Sequence, residues 1–309
     1  MTTPHLSVLR NEIVESFSSC SLSYFVDGTL GAGGHSEAIL ETHPELKTLI
    51  GIDQDEQALE IARHRLMPWN SKVHFASGNF SQLSQILQSI RLPQVNGILL
   101  DIGVSSMQLD QAEKGFSFMR NGPLDMRMNI KDPLTAAEIV NTWPEKELGR
   151  IFREYGEEKQ WRSAAQAIVK ARAINPILTT HALADILRPH FFWKKKGVNP
   201  LTLIFQALRI CVNRELEVLE AVIPQAIEKL APQGRLAIIS FHSLEDRIVK
   251  NAFRFAASDK ESTSGIGGIF LTKIPTVKLL HNRPIIPTDE EIAQNPRSRS
   301  AKLRVLEKL

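Results

Sequence analysis

At 309 residues the chain exceeds the roughly 100–200 residues of one ordinary domain, so it carries two domains or one domain with a large insertion. With 43% hydrophobic and 23% charged residues it can bury a substantial core, and the composition excludes disordered, collagenous and coiled-coil classes. The formal net charge of +3, from 37 Lys and Arg against 34 Asp and Glu, is too small to imply nucleic acid by itself.

The first hundred residues alternate short apolar runs with longer amphipathic ones, the pattern of a parallel α/β sheet. Strands are expected at Tyr24–Asp27, Thr48–Asp53, Val73–Ala76 and Gly97–Asp101. Helices are expected at Glu37–Thr42, Glu56–Leu66 and Phe80–Ile90, the last with Ser81 or a nearby polar residue as its cap. The next strand, Arg235–Ser240, lies far down the chain, after a long helical pattern over Leu203–Leu230 expected to break or bend near Pro224. One crossover helix does not need that much chain. Residues 111–205 therefore read as an inserted helical domain, with helices at Ala136–Val140, Glu145–Glu154, Arg162–Ala173 and His181–Leu187, while 1–110 and 206–309 form the α/β core. A helix at Leu244–Phe255 leads into the polar, Gly-rich stretch SDKESTSGIGG, read as a mobile surface loop. Ile269–Lys273 and Lys302–Glu307 then read as edge strands.

No apolar run reaches the roughly 18 residues that span a bilayer, and the first residues lack a basic segment followed by an apolar one. Cys20 and Cys211 are far apart and show no CxxC or Cys/His spacing, so neither a disulfide framework nor a metal site is expected. A cytoplasmic location fits these features. Charge is uneven: residues 111–210 hold 16 basic and 10 acidic side chains. The last stretch, NPRSRSAKLRVLEKL, sets five basic residues, from Arg297 to Lys308, against Glu307 alone. Two basic regions on a near-neutral body can track phosphates, or can be solvated faces.

The most informative motif is VDGTLGAGGHS, Val26 to Ser36, a strand end running through glycines into a helix. Its glycines allow a tight turn and a close backbone approach, and the helix presents its N-terminus. About 20 residues on, Asp53 ends the second strand, where a carboxylate can accept hydrogen bonds from ribose hydroxyls. The pair predicts a nucleoside-containing cofactor, and GAGGHS approximates a dinucleotide fingerprint closely enough to keep NAD as an alternative. Phe80 follows the third strand, where a ring can stack on adenine or simply pack. Asp101 ends the fourth strand with Gln108 a short loop later, and an acid there can serve a site or cap a helix.

VDGTLGAGGHS, LDIGVSSMQLD, KGFSF, GPLDMRM, FQALRICVNREL, SFHSLEDRIVK and NPRSRSAKLRV, in this order, resemble the bacterial ribosomal RNA small subunit methyltransferase H (RsmH/MraW) family from about His5 to the C-terminus. The resemblance implies a Rossmann-like S-adenosylmethionine-dependent methyltransferase core with an inserted helical domain that helps hold the substrate. It also implies methylation of the exocyclic N4 of a cytidine in the decoding centre of 16S rRNA, within the small subunit or a late assembly intermediate. Cofactor contacts carry over to Gly33, Gly34, His35, Asp53, Phe80, Asp101 and Gln108. Two departures stand out. GVNPLTLIFQALRI replaces a Pro-Ala-Thr-Arg-type stretch, so an arginine expected there is absent. The family also lacks the Asp/Asn-Pro-Pro-aromatic tetrad of many amino-methyltransferases.

Methyl transfer from a sulfonium to an amine is an in-line displacement. The cytosine amine is a poor nucleophile, so an acceptor for one N–H is expected, with Asp101 or a nearby carbonyl in that role and His242 of SFHSLEDR as an alternative. A base leaving its stack can meet Trp143, Trp161 or Trp193 and the adjacent Lys194, Lys195 and Lys196, although each tryptophan can equally pack inside the helical domain. Arg297 and Arg299 are the further RNA-binding candidates.

Overall fold

The computed structural model describes residues 7–104, 106–191, 198–262 and 270–309. The described chain divides into two compact units, Met1–Gly103 with Leu216–Leu309, and Val104–Glu215.

In the first unit, α1 (Arg10–Phe17), β1 (Tyr24–Asp27), α2 (Gly34–Thr42), β2 (Thr48–Asp53), α3 (Glu56–Arg65), β3 (Val73–Ser77), α4 (Leu83–Ser89) and β4 (Val95–Asp101) follow one another as repeated strand and helix pairs. The second unit holds α5 (Ser106–Asp110), α6 (Ala136–Thr142), α7 (Glu145–Glu154), α8 (Trp161–Arg172), α9 (Thr180–Leu187) and α10 (Pro200–Asn213). The first unit then resumes with α11 (Glu215–Lys229), β5 (Leu230–Ser240), α12 (Ser243–Ala257), β6 (Lys260–Ser262), β7 (Phe270–Thr272), β8 (Val277–Leu279), α13 (Asp289–Gln294) and β9 (Lys302–Lys308).

The main sheet has the order β3-β2-β1-β4-β5-β9-β8. β1 to β5 are parallel, and β9 runs antiparallel between β5 and β8. Alternate residues face opposite layers, as the period of a strand requires. Phe25, Leu49, Leu99 and Ile239 pack beneath Ile13, Phe17 and Leu59 from α1 and α3. Val26, Ile50, Ile98, Leu100 and Ile238 pack against Leu83, Val222 and Phe253 from α4, α11 and α12. The chain moves outward from β1 to β3 and then returns to place β4 on the other side of β1. That reversal opens a crevice at the carboxyl ends of β1 and β4.

Several boundaries differ from the sequence expectation for identifiable reasons. The long helical pattern breaks at Arg214, whose φ of 50° is left-handed and ends α10, while Pro224 sits inside α11. α10 buries Leu201, Ile204, Phe205 and Leu208 in the core of the helical unit, which carries that unit to Glu215 rather than to residue 205. Lys302–Lys308 is an interior strand, because the three-residue β8 covers it and becomes the edge. Phe270–Thr272 is not on the main sheet; it pairs with Lys260–Ser262 as a two-stranded ribbon, so part of the stretch read as a loop is strand. Residues 263–269 lie outside the described residues.

The helical unit has its own core, in which Leu148, Ile151 and Phe152 of α7, Ile168 of α8 and Leu183 and Leu187 of α9 are buried. Side-chain caps start its helices: Thr135 accepts from Glu138 N–H, Thr179 from Ala182 N–H and Asn199 from Leu201 N–H. Trp143 and Trp161 are partly buried against this core, and Arg153 and Arg162 lie over the Trp161 ring. Both rings thus serve packing.

One close approach in the α/β unit is testable. A Cβ added at Gly97 in β4 would lie 2.6 Å from Phe25 Cδ2 and 3.0 Å from Phe17 Cε1, in an edge-to-face pair whose centroids are 5.1 Å apart. Gly97→Ala is expected to destabilise the protein by about 1–3 kcal/mol through overpacking. Chemical denaturation checks this, and an unchanged midpoint would mean that the phenylalanine pair moves aside at no cost.

Candidate functional site

The site is built at the carboxyl ends of β1, β2, β3 and β4, all within the α/β unit. Where β1 ends, Asp27 is 1% exposed, and its carboxylate accepts hydrogen bonds from Thr29 N–H (3.2 Å) and from Ser36 Oγ–H (2.7 Å). Burial raises the Asp27 pKa to about 6 despite the nearby His35 and the two hydrogen bonds, and the Asp101 charge adds to the rise. Removing a carboxylate from water disfavours its charged form, and partial pairing does not cancel that.

The turn after β1 needs glycine twice, because Gly31 and Gly33 adopt φ of +52° and +79°. At Gly34, the first residue of α2, a Cβ would collide with Ser7 Oγ. The left-handed turn aims Gly31 N–H at Asp53 Oδ2 (2.8 Å), while Asp53 Oδ1 accepts Asp55 N–H (2.9 Å). Burial pushes the Asp53 carboxyl up against these hydrogen bonds. Asp53 also accepts a backbone hydrogen bond from Gln54, which leaves one lone pair for a further donor.

At the end of β3, Asn79 rather than Ser81 is the cap: it accepts Ser81 N–H (2.9 Å), and Gln82 Oε1 accepts Asn79 N–H in return (3.1 Å). This capping box sets Phe80 at the first position of the turn, partly buried. Asn79 Nδ2 also donates to Gln54 Oε1 (3.2 Å), which joins this turn to the residue after Asp53.

Asp101, at the end of β4, donates its backbone N–H to Thr29 Oγ1 (2.6 Å), so the β1 turn and the β4 end are tied together. His35 is 7% exposed, and its Nε2 lies 3.5 Å from Asp101 Oδ2. That is an ion-pair distance without a hydrogen bond: both ring nitrogens of His35 and Oδ1 of Asp101 have no hydrogen-bond partner among the described residues. A buried polar group without a partner costs about 1–3 kcal/mol. Such groups at the mouth of a crevice fit a ligand that supplies the missing partners.

His242 caps α12, its Nδ1 accepting Glu245 N–H (3.4 Å), while its buried Nε2 lies 3.0 Å from Glu245 Oε1 without a hydrogen-bond partner among the described residues. Glu245, 2% exposed, accepts both Phe241 N–H (2.8 Å) and His242 N–H (3.1 Å). His242 and Glu245 close the turn after β5, and Phe241 lies where a Cβ at Gly103 would fall, 2.5 Å from its Cε2.

The structure thus brings Gly33, Gly34, His35, Asp53, Phe80 and Asp101 to one edge of one sheet. Gln108 lies in α5 of the helical unit and is buried there. Arg297 and Arg299 are exposed in the turn Pro296–Ser300. That turn immediately precedes Lys302, which is paired with Ser240 at the carboxyl end of β5, so both arginines share the edge that holds Asp101. Trp193 and Lys194, Lys195 and Lys196 lie outside the described residues. Sequence reading missed Thr29, Ser36 and Asn79. The Asn-x-x-Gln spacing of Asn79 and Gln82 was a legible capping-box signal, whereas nothing local marks Thr29 as a partner of Asp101.

Residues 2–309 match the MraW methylase family. The chain belongs to that family. A protein of Protochlamydia amoebophila named ribosomal RNA small subunit methyltransferase H is 60% identical over 99% of this chain and 98% of its own length. Its namesake in Geobacter sulfurreducens is 46% identical over the whole of both chains. Among solved structures, a rRNA methylase from Streptococcus thermophilus aligns over 100% of this chain and 99% of its own, with 11% identity and a TM-score of 0.42. Membership of a methylase family removes the NAD alternative, and the cofactor is S-adenosylmethionine.

The raised Asp27 pKa has a signed consequence. Between its unfolded value near 4 and about 6, the folded protein holds a proton that the unfolded chain releases, so the stability carried by this group is lost as pH rises through that window. Asp27→Asn removes the penalty. Its Tm relative to the native protein should climb from pH 4 to pH 7, by an amount corresponding to on the order of 3 kcal/mol. A difference independent of pH would show that Asp27 stays ionised throughout.

Proposed function

We propose that this protein transfers a methyl group from S-adenosylmethionine to the exocyclic N4 of a cytidine in the decoding centre of 16S rRNA, in the cytoplasm, on the small ribosomal subunit or a late assembly intermediate. The observation that carries the reading is the orphaned Oδ1 of Asp101 beside the unpartnered ring of His35, at the crevice of a chain 60% identical to a protein named as a small subunit rRNA methyltransferase.

The cofactor would supply an electrophilic methyl group on a positively charged sulfur. Gly33 and Gly34 would let its methionine portion approach the backbone, and His35 would offer its unpartnered nitrogens there. Asp53 would accept a ribose hydroxyl with the lone pair left by Gly31, Gln54 and Asp55. Phe80, set by the Asn79 box, would lie against the adenine.

The residues of β4 would then act on the acceptor. The cytosine N4 lone pair is delocalised into the ring, and a carboxylate that takes one N–H frees it for in-line attack. Asp101 has the free oxygen for this, and it can receive the proton that the methylated amine sheds. Thr29 holds the Asp101 backbone in place. Gln108 would contact the cofactor at the border with the substrate, and the helical unit would help hold the RNA strand together with Arg297, Arg299 and Lys194, Lys195 and Lys196. His242 and Glu245 would shape the turn after β5 rather than touch the base.

Small ribosomal subunits lacking the modification should gain N4-methylcytidine at one decoding-centre position when incubated with the protein and S-adenosylmethionine, as read by nucleoside mass spectrometry. Asp53→Ala should abolish the gain by weakening cofactor binding. Asp101→Asn should lower kcat by about 100-fold or more while the cofactor still binds. Full turnover in Asp101→Asn would remove the acceptor role, and methyl incorporation at any other atom would overturn the substrate reading.

A further inference from the structure

α12 carries a basic stripe that the proposed chemistry leaves unused. Arg247, Lys250 and Arg254 recur at helical spacing on its outer face, while Leu244, Val249 and Phe253 face the core. Beside them, β8 runs in the same sense as β5, because both are antiparallel to β9. The chain leaving β8 at the level of Leu236 therefore heads toward the carboxyl edge of the sheet, bearing His281, Asn282 and Arg283. Lys250, Arg254, His281, Asn282 and Arg304 line one shallow cleft floored by Phe253 and Leu279.

Several cations of the α/β unit are matched by carboxylates, among them Arg10 with Glu41, and Arg235 and Lys278 with Glu307. In the cleft the neighbouring acid, Asp246, is already taken by Lys302 (3.2 Å) and Arg304 (2.7 Å). Asp259, just past the end of α12, is exposed. Among the described residues Lys250, Arg254, His281 and Arg283 have no carboxylate partner, and all but Lys250 are largely exposed. Like charges gathered in one cleft repel each other, and a polyanion relieves that repulsion as counterions are released.

We infer that the cleft between α12 and the loop after β8 is a docking track for the phosphate backbone of the substrate RNA. Arg304 at its upper end pairs with Ile238, next to the Ile239 that faces Asp101, and the cleft runs from there down the flank of α12 and β8, so a strand gripped here leads up to the crevice. The inference rests on the rRNA reading above and adds a second grip, contributed by the α/β unit.

The test compares native protein with Lys250→Gln/Arg254→Gln/His281→Gln, three positions away from the cofactor residues. Lys47→Gln, at the amino edge of the sheet, is the control. Binding to a 16S rRNA decoding-region fragment is measured across salt concentrations, with kcat and KM on small subunits and the affinity for S-adenosylmethionine. The triple variant should raise the RNA Kd and the subunit KM by about tenfold or more and flatten the salt slope by about two. Its saturating kcat, its cofactor affinity and the Lys47→Gln control should match the native protein. Unchanged Kd, KM and salt slope, with native protein active on rRNA, would overturn the track alone. A defect on subunits but not on naked RNA would assign the cleft to a ribosomal protein and also overturn it. If native protein neither binds nor methylates rRNA, the functional reading falls and the track with it. Should the triple variant fold poorly, Arg254→Gln alone, on an exposed helix face, carries the same comparison with about a threefold effect.

Discussion

A carboxylate buried where β1 ends is the constraint on which the site depends. Asp27 has almost no access to water, so its charge must be met by protein groups or neutralised. Ser36 Oγ–H meets it from the first turn of α2, and Thr29 N–H meets it from the tight turn between. Both bonds require the chain to reverse sharply, which it does through left-handed Gly31 and Gly33. Thr29 then passes the constraint on, because its Oγ1 accepts the backbone N–H of Asp101. One buried acid thereby orients α2, the glycine turn and the end of β4.

The same arrangement gathers charge of one sign. Asp27, Asp53 and Asp101 end three neighbouring strands, and the Asp101 charge helps push the Asp27 carboxyl up. His35 stands between Asp27 and Asp101 with two unpartnered nitrogens and offsets part of that repulsion. A crevice lined in this way suits a cationic donor more than an anionic one. That is the electrostatic side of the proposed methyl transfer, and it contrasts with the unpaired cations Lys250 and Arg254 on the flank of the sheet. Acid at the crevice and base beside it match a sulfonium cofactor and a phosphate backbone respectively.

Much of the α/β unit was legible because its signals are local. β1 and β2 begin and end where the apolar runs do, and Asp53 and Asp101 close strands that read as buried β structure. The helical unit was legible as spacing, with Glu145–Glu154 found at its expected limits. Legibility failed where distant chain decides. Lys302–Lys308 has the composition of an edge strand, and only pairing with β8 makes it interior. Arg214 breaks the long helix, although the proline nearby looked the stronger breaker. His242 carries a catalytic-looking residue type, and only the folded chain shows that it also caps α12 with Glu245.

By itself the sequence determined the α/β class, the position of the insertion and the strand-end residues proposed here to hold the cofactor. These follow from hydrophobic period, glycine placement and strand-end carboxylates, all of which act over a few residues. Tertiary structure alone decided that Thr29 holds Asp101 and that His35 is buried without a hydrogen-bond partner. It also decided that residues as far apart in sequence as Lys250, His281 and Arg304 share one cleft. Those outcomes depend on strand order and register, which bring remote segments to a common edge. No local pattern encodes which unpaired side chains will meet there.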